Sequence, residues 1–170
     1  MNQAETKSDV QLAVFQLDGQ PYAIDIEKIK QIIRPLKITK LPRAPSFVEG
    51  VIDLRGVVLP VVDMRKRFSL PSRGEAESKD DKIIIVSVAK KIVGIVVDDV
   101  TEVIPMAKNE IQPPPRVVKG VEANYLKGVC RYHDQILMIL NLDELLTAEE
   151  KIQIAAIEKS PTDVEERNMK

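Results

Sequence analysis

Short apolar runs separated by turn residues characterise the first part of the chain. Residues 12–17 (LAVFQL) form an apolar run, Asp18-Gly19 is a two-residue turn signal, and residues 22–26 (YAIDI) alternate between apolar and polar. This arrangement predicts a β-hairpin. Residues 27–33 are compatible with a helical turn or with a strand, and they end before Pro35, which disfavours helix in the residue preceding it.

Two further strands are predicted after a proline-rich crossing. Residues 47–54 and 57–63 are largely apolar and meet at Arg55-Gly56. The following segment, residues 71–82, is polar and charged with almost no large apolar side chain. Such a composition is typical of a connecting loop, and it is the best internal boundary in the chain.

The same order of features returns after this connector. Apolar runs over 83–88 and 92–97 flank a tight turn at 89–91 and predict a second hairpin. A further strand is predicted to begin at Gly128-Val129, and another covers residues 135–140. Residues 141–146 resemble a short helix.

The two parts are copies of one design. Residues 19–33 align with residues 90–104 at an offset of 71, and Gly50-Val51 and residues 59–68 align with Gly128-Val129 and residues 137–146 at an offset of 78. Two strand-rich copies with regular turn signals favour two small barrels over one eight-stranded barrel.

The predicted fold is therefore mainly β. We expect a first barrel over residues 12–70 and a second over residues 82–146, with exchange of strands between them possible. Thr147 and Glu150 have the spacing of a capping box, and apolar residues at helical spacing follow, which predicts a C-terminal helix over residues 148–157. Residues 161–170 are expected to be disordered.

Composition supports this class and narrows the function. Among 170 residues, 20 Val and 19 Ile favour strands, because β-branched side chains pack well on a pleated surface. One Cys excludes an internal disulfide and points to a reducing compartment. The sequence shows neither a signal-peptide pattern nor 18 consecutive apolar residues, and a net charge of −1 gives no overall attraction to nucleic acid or membrane.

Candidate catalytic groups are few. Cys130 and His133 have close spacing, but a zinc site requires three or four ligands and the chain has no other Cys or His, so a structural thiol and a surface imidazole are the simpler interpretation. The carboxylates of Asp98, Asp99 and Glu102 form a cluster that could perform acid–base chemistry, although a turn or capping role explains it equally well.

The chain also has two candidate capping positions and one local excess of positive charge. Asp63 and Asn141 align in the repeat, and capping explains both residue types. Residues 28–67 contain ten cations and three carboxylates, which is compatible with nucleic acid but also with a solvated face or an acidic protein partner. Arg55, between an apolar strand and Gly56, could hold a partner's carboxylate or brace the two halves.

The ordered set of these segments resembles the CheW family of bacterial chemotaxis coupling proteins. The similarity lies in residues 22–33, in residues 41–68 with the run GVIDLRGVVLPVVDMRKRF, and in residues 93–104, 111–113 and 128–129, and it covers about residues 12–157. The resemblance implies a single CheW-like domain with two five-stranded, SH3-like β-barrel subdomains related by pseudo-symmetry around a shared hydrophobic seam.

The resemblance also implies a function without catalysis. Proteins of this family link the cytoplasmic tip of a chemoreceptor to the regulatory domain of the histidine kinase CheA, in the cytoplasm and beside membrane-bound receptor arrays. We therefore expect no catalytic site, no cofactor, no metal, no nucleic acid and no direct membrane insertion. A small-barrel nucleic-acid-binding protein remains the alternative, and an enzyme using Asp98, Asp99 and Glu102 is a third.

Family positions can be transferred residue by residue. The positions that match the kinase-facing surface are Ile26, Ile29, Gln31, Ile38 and Val58. The positions that match the receptor-facing groove between the barrels are Arg55, Ile83, Gly94 and Val100. Gln31 departs from the family, in which Glu is common at that position, so a partner's basic contact there would be weaker.

Overall fold

The computed structural model describes residues 9–44, 46–71, 81–114 and 125–146. Within these ranges no helix is long and apolar enough to cross a membrane. The helix predicted over residues 148–157 and the tail predicted over residues 161–170 lie outside the described residues.

Ten strands and one short α-helix make up the described fold. The strands are β1 (Asp9–Leu17), β2 (Gln20–Asp25), β3 (Ile29–Ile33), β4 (Val48–Leu54), β5 (Val57–Asp63), β6 (Lys82–Val88), β7 (Lys91–Val97), β8 (Asp99–Ala107), β9 (Leu126–Tyr132) and β10 (Gln135–Leu140), and the helix is α1 (Met64–Arg67). Single 3-10 turns span Ile26–Lys28, Lys108–Glu110 and Leu142–Glu144. The ambiguous residues 27–33 thus combine the end of a 3-10 turn with a strand.

The strands form two five-stranded sheets. Sheet 1 has the order β8-β1-β2-β10-β9, and sheet 2 has the order β3-β6-β7-β5-β4. Both are antiparallel except for one central parallel pair each, β2 with β10 and β5 with β7. The mainly β fold of two five-stranded units is thereby confirmed.

Membership of the sheets differs from the predicted division along the chain. The first hairpin, β1 and β2, pairs with strands β8 to β10 of the second half, whereas β3 to β5 pair with β6 and β7. The boundaries 12–70 and 82–146 therefore separate the two sequence copies but do not separate the two sheets. The exchange arises because each copy crosses to the other sheet between its second and third strands.

The pairing register confirms the internal repeat. Val61 lies beside Gly94 in sheet 2, and Ile139 lies beside Ala23 in sheet 1, which are the positions related by the offsets of 78 and 71. Likewise Ile33 pairs with Ile83, and Ile104 pairs with Leu12. Both sheets thus repeat one pattern of neighbours.

Each sheet curls back on itself through a chain segment that follows an edge strand. Beyond β3, Thr39 makes two backbone hydrogen bonds of 2.8 and 2.9 Å with Val51 of β4, the opposite edge of sheet 2. Beyond β8, Gln112 makes two backbone hydrogen bonds of 2.8 Å with Val129 of β9, the opposite edge of sheet 1. Gly128 is required for the second approach, because a Cβ atom there would lie 2.7 Å from the carbonyl oxygen of Gln112.

Alternation along the strands divides the apolar side chains among three cores. On β1, Leu12 and Val14 face the interior of sheet 1, whereas Ala13, Phe15 and Leu17 face sheet 2. Strand β6 behaves identically, with Ile83 and Ile85 facing the interior of sheet 2. The largest cluster therefore lies between the sheets, and burial of each large side chain there contributes about 1.5–3 kcal/mol.

Aromatic side chains concentrate in this central seam. The rings of Phe15, Tyr22, Phe68 and Tyr125 form a continuous series with successive centroid distances of 6.0, 5.5 and 5.5 Å. Phe47 is buried in the same cluster. Five of the six aromatic residues of the chain thus bind the two sheets together.

Candidate functional site

The five positions expected to face the kinase differ in exposure. Ile26 follows Asp25, whose side chain accepts a hydrogen bond from the backbone N–H of Glu27, and this cap leaves Ile26 38% exposed. The other four are half-buried. They are Ile29, Gln31, Ile38 and Val58.

All five belong to sheet 2 or to segments that join it. Ile29 and Val58 pack against the central seam, and Ile38 packs against the interior of sheet 2. Their half-buried side chains combine core packing with partial access. The structure therefore makes Ile26 the most accessible apolar side chain of the five.

The positions expected to face the receptor divide into two accessible and two buried residues. Arg55 is exposed and Val100 is half-buried. Ile83 is fully buried in the interior of sheet 2, and Gly94 is buried beside it, with a Cβ at Gly94 reaching 2.9 Å from Cγ2 of Ile83. Both residues are therefore packed inside the sheet in this conformation, and their part in the receptor-facing groove stays a prediction.

Arg55 lies at the tip of the β4–β5 hairpin. Arg55 and Gly56 have φ angles of 55° and 88°, the positive pair required by a type I′ hairpin turn, and the N–H of Gly56 donates to Oδ1 of Asp53 at 2.8 Å. Asp53 therefore fixes the turn, and the guanidinium extends from it into solvent. The turn therefore holds the backbone of Arg55 in a fixed position while its guanidinium stays accessible to a partner.

Exposed apolar side chains add candidates to Ile26, which the family resemblance had already indicated. In the described ranges the exposed large apolar side chains are Ile26, Ile32, Leu36, Val57, Val103 and Ile136. Ile26, Ile32 and Leu36 lie within eleven residues of each other along the crossover, β3 and its continuation. The alternation of residues 29–33 contained this signal, because Ile32 falls on the polar side of an otherwise amphipathic strand.

Arg65 forms a bidentate ion pair with Asp98. Its Nε and Nη2 atoms donate to the two carboxylate oxygens of Asp98 at 2.9 and 2.6 Å, and Nη1 donates to the carbonyl oxygen of Pro71 at 2.6 Å. The hydrogen bond to Asp98 raises the pKa of the guanidinium further above its ordinary value. Since Arg65 and Asp98 are 33 positions apart, no sequence pattern indicated the pair.

Internal contacts account for the carboxylate cluster. Asp98 binds Arg65 and accepts from the N–H of Asp18 at 2.8 Å. Asp99 lies 4.0 Å from Nζ of Lys82, and Glu102 accepts from the hydroxyl of Tyr132. The three carboxylates thus have different structural partners, which disfavours a shared acid–base site.

The geometry also separates Cys130 from His133. Cys130 is buried in the interior of sheet 1, and burial, with a smaller contribution from Glu110, raises the pKa of its thiol. His133 is exposed in the β9–β10 turn, with Nε2 3.5 Å from Glu102. Within the described ranges no group of three His, Cys, Asp or Glu side chains could hold a metal.

The basic excess of residues 28–67 is partly neutralised within the fold. Arg65 binds Asp98, Lys66 binds Glu49, and Lys28 lies 3.6 Å from Asp143. The aromatic rings that a single-strand-binding barrel would offer for base stacking are buried in the seam. This distribution disfavours the nucleic-acid alternative.

Comparison with known proteins gives a consistent result. The family model described as CheW-like domain matches residues 11–150. The chain is 34% identical to chemotaxis protein CheW of Bacillus subtilis over 86% of its length and 92% of that protein, and 33% identical to chemotaxis protein CheW of Treponema pallidum over 85% and 86%. It is also similar to the crystal structure of scaffolding protein TtCheW from Thermoanaerobacter tengcongensis, with 37% identity, a TM-score of 0.75, and coverage of 83% of this chain and 90% of that one.

Proposed function

The chain belongs to the CheW-like domain family, and on that premise we propose that it is a non-catalytic adaptor that couples the cytoplasmic tips of chemoreceptors to the regulatory domain of the histidine kinase CheA. The observation that carries this proposal is the match of the family model to residues 11–150, which include every described strand except the first two residues of β1. The family comprises chemotaxis scaffold proteins. The proposed location is the cytoplasm, beside a receptor array that the adaptor helps to assemble.

The kinase-facing surface in this proposal comprises the crossover and β3 of sheet 2, together with Ile38 and Val58. An exposed apolar residue next to half-buried ones provides a contact that can be desolvated without unfolding the sheet, as interface cores require. Ile26 and Ile29 would insert into the partner, and Gln31 would contribute a neutral hydrogen-bonding group. Support comes from the exposure of Ile26 and from the packing of Ile29 at the edge of the seam.

The receptor-facing surface in this proposal contains Arg55 and Val100. The guanidinium of Arg55 would donate two directed hydrogen bonds to a carboxylate or backbone carbonyl of the receptor tip. Ile83 on β6 and Gly94 on β7 would act indirectly, because their packing sets the shape of sheet 2 at these two strands. Replacement of Gly94 would move that strand, since its Cβ would meet the side chain of Ile83.

Substitution at Ile29 tests the kinase surface. Ile29→Asp is expected to abolish most binding to the purified kinase regulatory domain in a pull-down, because an unpaired charge is costly in a dry apolar contact. Circular dichroism and denaturant unfolding of the same protein provide the control. An unfolded variant would assign Ile29 to the core, and a folded variant that still binds would remove it from the surface.

Substitution at Arg55 tests the receptor surface. Loss of a charge-assisted hydrogen bond costs about 1.5–3 kcal/mol, so Arg55→Ala is expected to weaken receptor affinity by roughly 10- to 150-fold in a receptor-controlled kinase assay. Arg55→Lys should restore only part of the coupling, because the ammonium lacks the planar fork.

Two matched variants distinguish contact from folding. Arg55→Gly removes the guanidinium but fits the positive φ of the turn, so it should lose coupling without losing stability. His133→Ala alters the equivalent turn of the other copy and should leave coupling unchanged. Full rescue by Lys, or a loss of stability large enough to explain the lost coupling, would contradict the contact role of Arg55.

A further inference from the structure

Cations and apolar side chains are exposed together on β3 and on the segment that follows it. Lys30 and Ile32 belong to β3, and Arg34, Leu36 and Lys37 lie in the segment after its last residue, Ile33. Ile32 and Leu36 are 38% and 39% exposed, and the three cations are exposed. We name these five residues the β3 strip.

The β3 strip has no carboxylate of its own. Residues 28–48 include six Lys or Arg and no Asp or Glu. In the part of the chain that the structure describes, Lys28 is paired with Asp143, but no carboxylate lies within 4.0 Å of Lys30, Arg34 or Lys37. Gln31, between Lys30 and Ile32, adds no negative charge. The cations of the strip are therefore available to an external partner.

The pseudo-symmetric edge strand shows that the fold does not need these cations. Strand β8 has Thr101, Val103 and Pro105 at the positions equivalent to Lys30, Ile32 and Arg34. Val103 is 46% exposed, so the central apolar residue is retained while both flanking charges are absent. Lysine on an edge strand can protect against edge-to-edge pairing, but β8 is also an edge strand and lacks both cations.

We propose that the β3 strip is the electrostatic part of the kinase-docking surface and that it binds an acidic protein face, with partner carboxylates around apolar contacts to Ile32 and Leu36. This inference rests on the proposed function and specifies the chemistry of the partner. A protein partner fits better than a nucleic acid, because the strip contains aliphatic side chains and no aromatic ring for base stacking. Charges at the rim of such an interface steer the encounter of the two proteins.

The test measures association and dissociation rates of the full chain with the purified CheA regulatory domain at about 50 mM and about 300 mM salt, across which screening increases strongly. Lys30→Glu/Arg34→Glu is expected to lower the association rate constant at low salt by about tenfold or more and to leave dissociation nearly unchanged. Ile32→Asp should instead accelerate dissociation. The matched controls, Thr101→Glu/Pro105→Glu and Val103→Asp on β8, should bind like the unmodified chain.

The possible outcomes distinguish the acidic-partner inference from the proposed adaptor function. Tight kinase binding that is independent of salt and of charge reversal would overturn the acidic-partner inference and leave the adaptor function standing. Absence of kinase binding by the unmodified chain would overturn both. Binding of single-stranded RNA and of anionic phosphatidylglycerol vesicles is measured in the same way. If either ligand binds in a salt-dependent manner, the kinase domain does not displace it, and Lys30→Glu/Arg34→Glu abolishes the binding, the strip belongs to that ligand instead.

Discussion

Two pseudo-equivalent junctions connect the sheets, and they differ in electrostatics. At the first, where the chain crosses from β7 to β8, Arg65 binds Asp98 through two hydrogen bonds, and the two side chains are only 13% and 17% exposed. At the second, where the chain crosses from β2 to β3, Lys28 lies 3.6 Å from Asp143, with exposures of 45% and 52%. Asp143 occupies the position equivalent to Arg65, so the sign of the charge is reversed.

The features that both junctions retain show what the fold requires. Asp63 and Asn141 each accept a hydrogen bond from the backbone N–H two residues later and cap the turn that follows β5 or β10. In each junction, one carboxylate also accepts a hydrogen bond from the backbone N–H of a hairpin turn. Asp98 accepts from Asp18 at 2.8 Å, and Asp143 accepts from Ala89 at 3.3 Å. Backbone hydrogen bonds are thus common to both junctions, whereas the ion pair is specific to each.

Removal of Arg65 should give the largest effect. Arg65→Ala removes two hydrogen bonds to the partly buried Asp98 and one to Pro71, and we expect the free energy of unfolding to fall by about 2–3 kcal/mol in urea denaturation. Asp98→Asn keeps an acceptor for the N–H of Asp18 and should cost less. A double-mutant cycle should give a coupling energy of about 1–2 kcal/mol. Additive single effects would show that the pair contributes no interaction of its own.

Removal of Lys28 should give a much smaller effect. The exposed pair with Asp143 is screened by solvent, so Lys28→Ala is expected to change the free energy of unfolding by about 0–1 kcal/mol, and less at high salt. The measurement is the same urea titration at two salt concentrations. A loss equal to that of Arg65→Ala would remove the distinction between the two junctions.

Conversion of the first cap into the second should give the smallest effect. Burial raises the pKa of the Asp63 carboxyl, Glu49 adds to the increase, and the N–H of Arg65 opposes it. A raised folded-state pKa stabilises the fold at low pH, and this contribution is lost as the pH rises through that pKa. Asp63→Asn, which installs the residue of the equivalent cap, should therefore equal or exceed the unmodified stability at pH 7 by about 0–1 kcal/mol.

The pH dependence provides the check on this assignment. As the pH falls through the titration range of Asp63, the unmodified chain takes up its proton, so the advantage of Asp63→Asn should decrease. The same variant should be neutral towards kinase and receptor binding. A variant that loses more than about 1 kcal/mol at pH 7 would show that the carboxylate charge stabilises the fold through Lys66.

Local pattern predicted much of the fold and some of the site. The first hairpin, the turn at Arg55-Gly56 and the caps at Asp63 and Asn141 were all read from neighbouring residues, and the structure confirms each of them. Such features depend on contacts within a few positions, which sequence spacing encodes directly. The exposed side chains of Ile32, in β3, and Leu36, just after it, were missed because an apolar residue in or next to a strand is normally assigned to the core.

The sequence by itself determined that this protein is a doubled, strand-rich chain, because period-two alternation, turn residues and the offsets of 71 and 78 are properties of residue order. The tertiary structure decided which strands share a sheet, since each crossover moves β3 or β8 to the opposite sheet and the apolar pattern permits either pairing. It also decided which cations are neutralised. Arg65 is bound by a carboxylate 33 positions away while Lys30 and Arg34 remain exposed, and only folding brings distant charges within bonding distance.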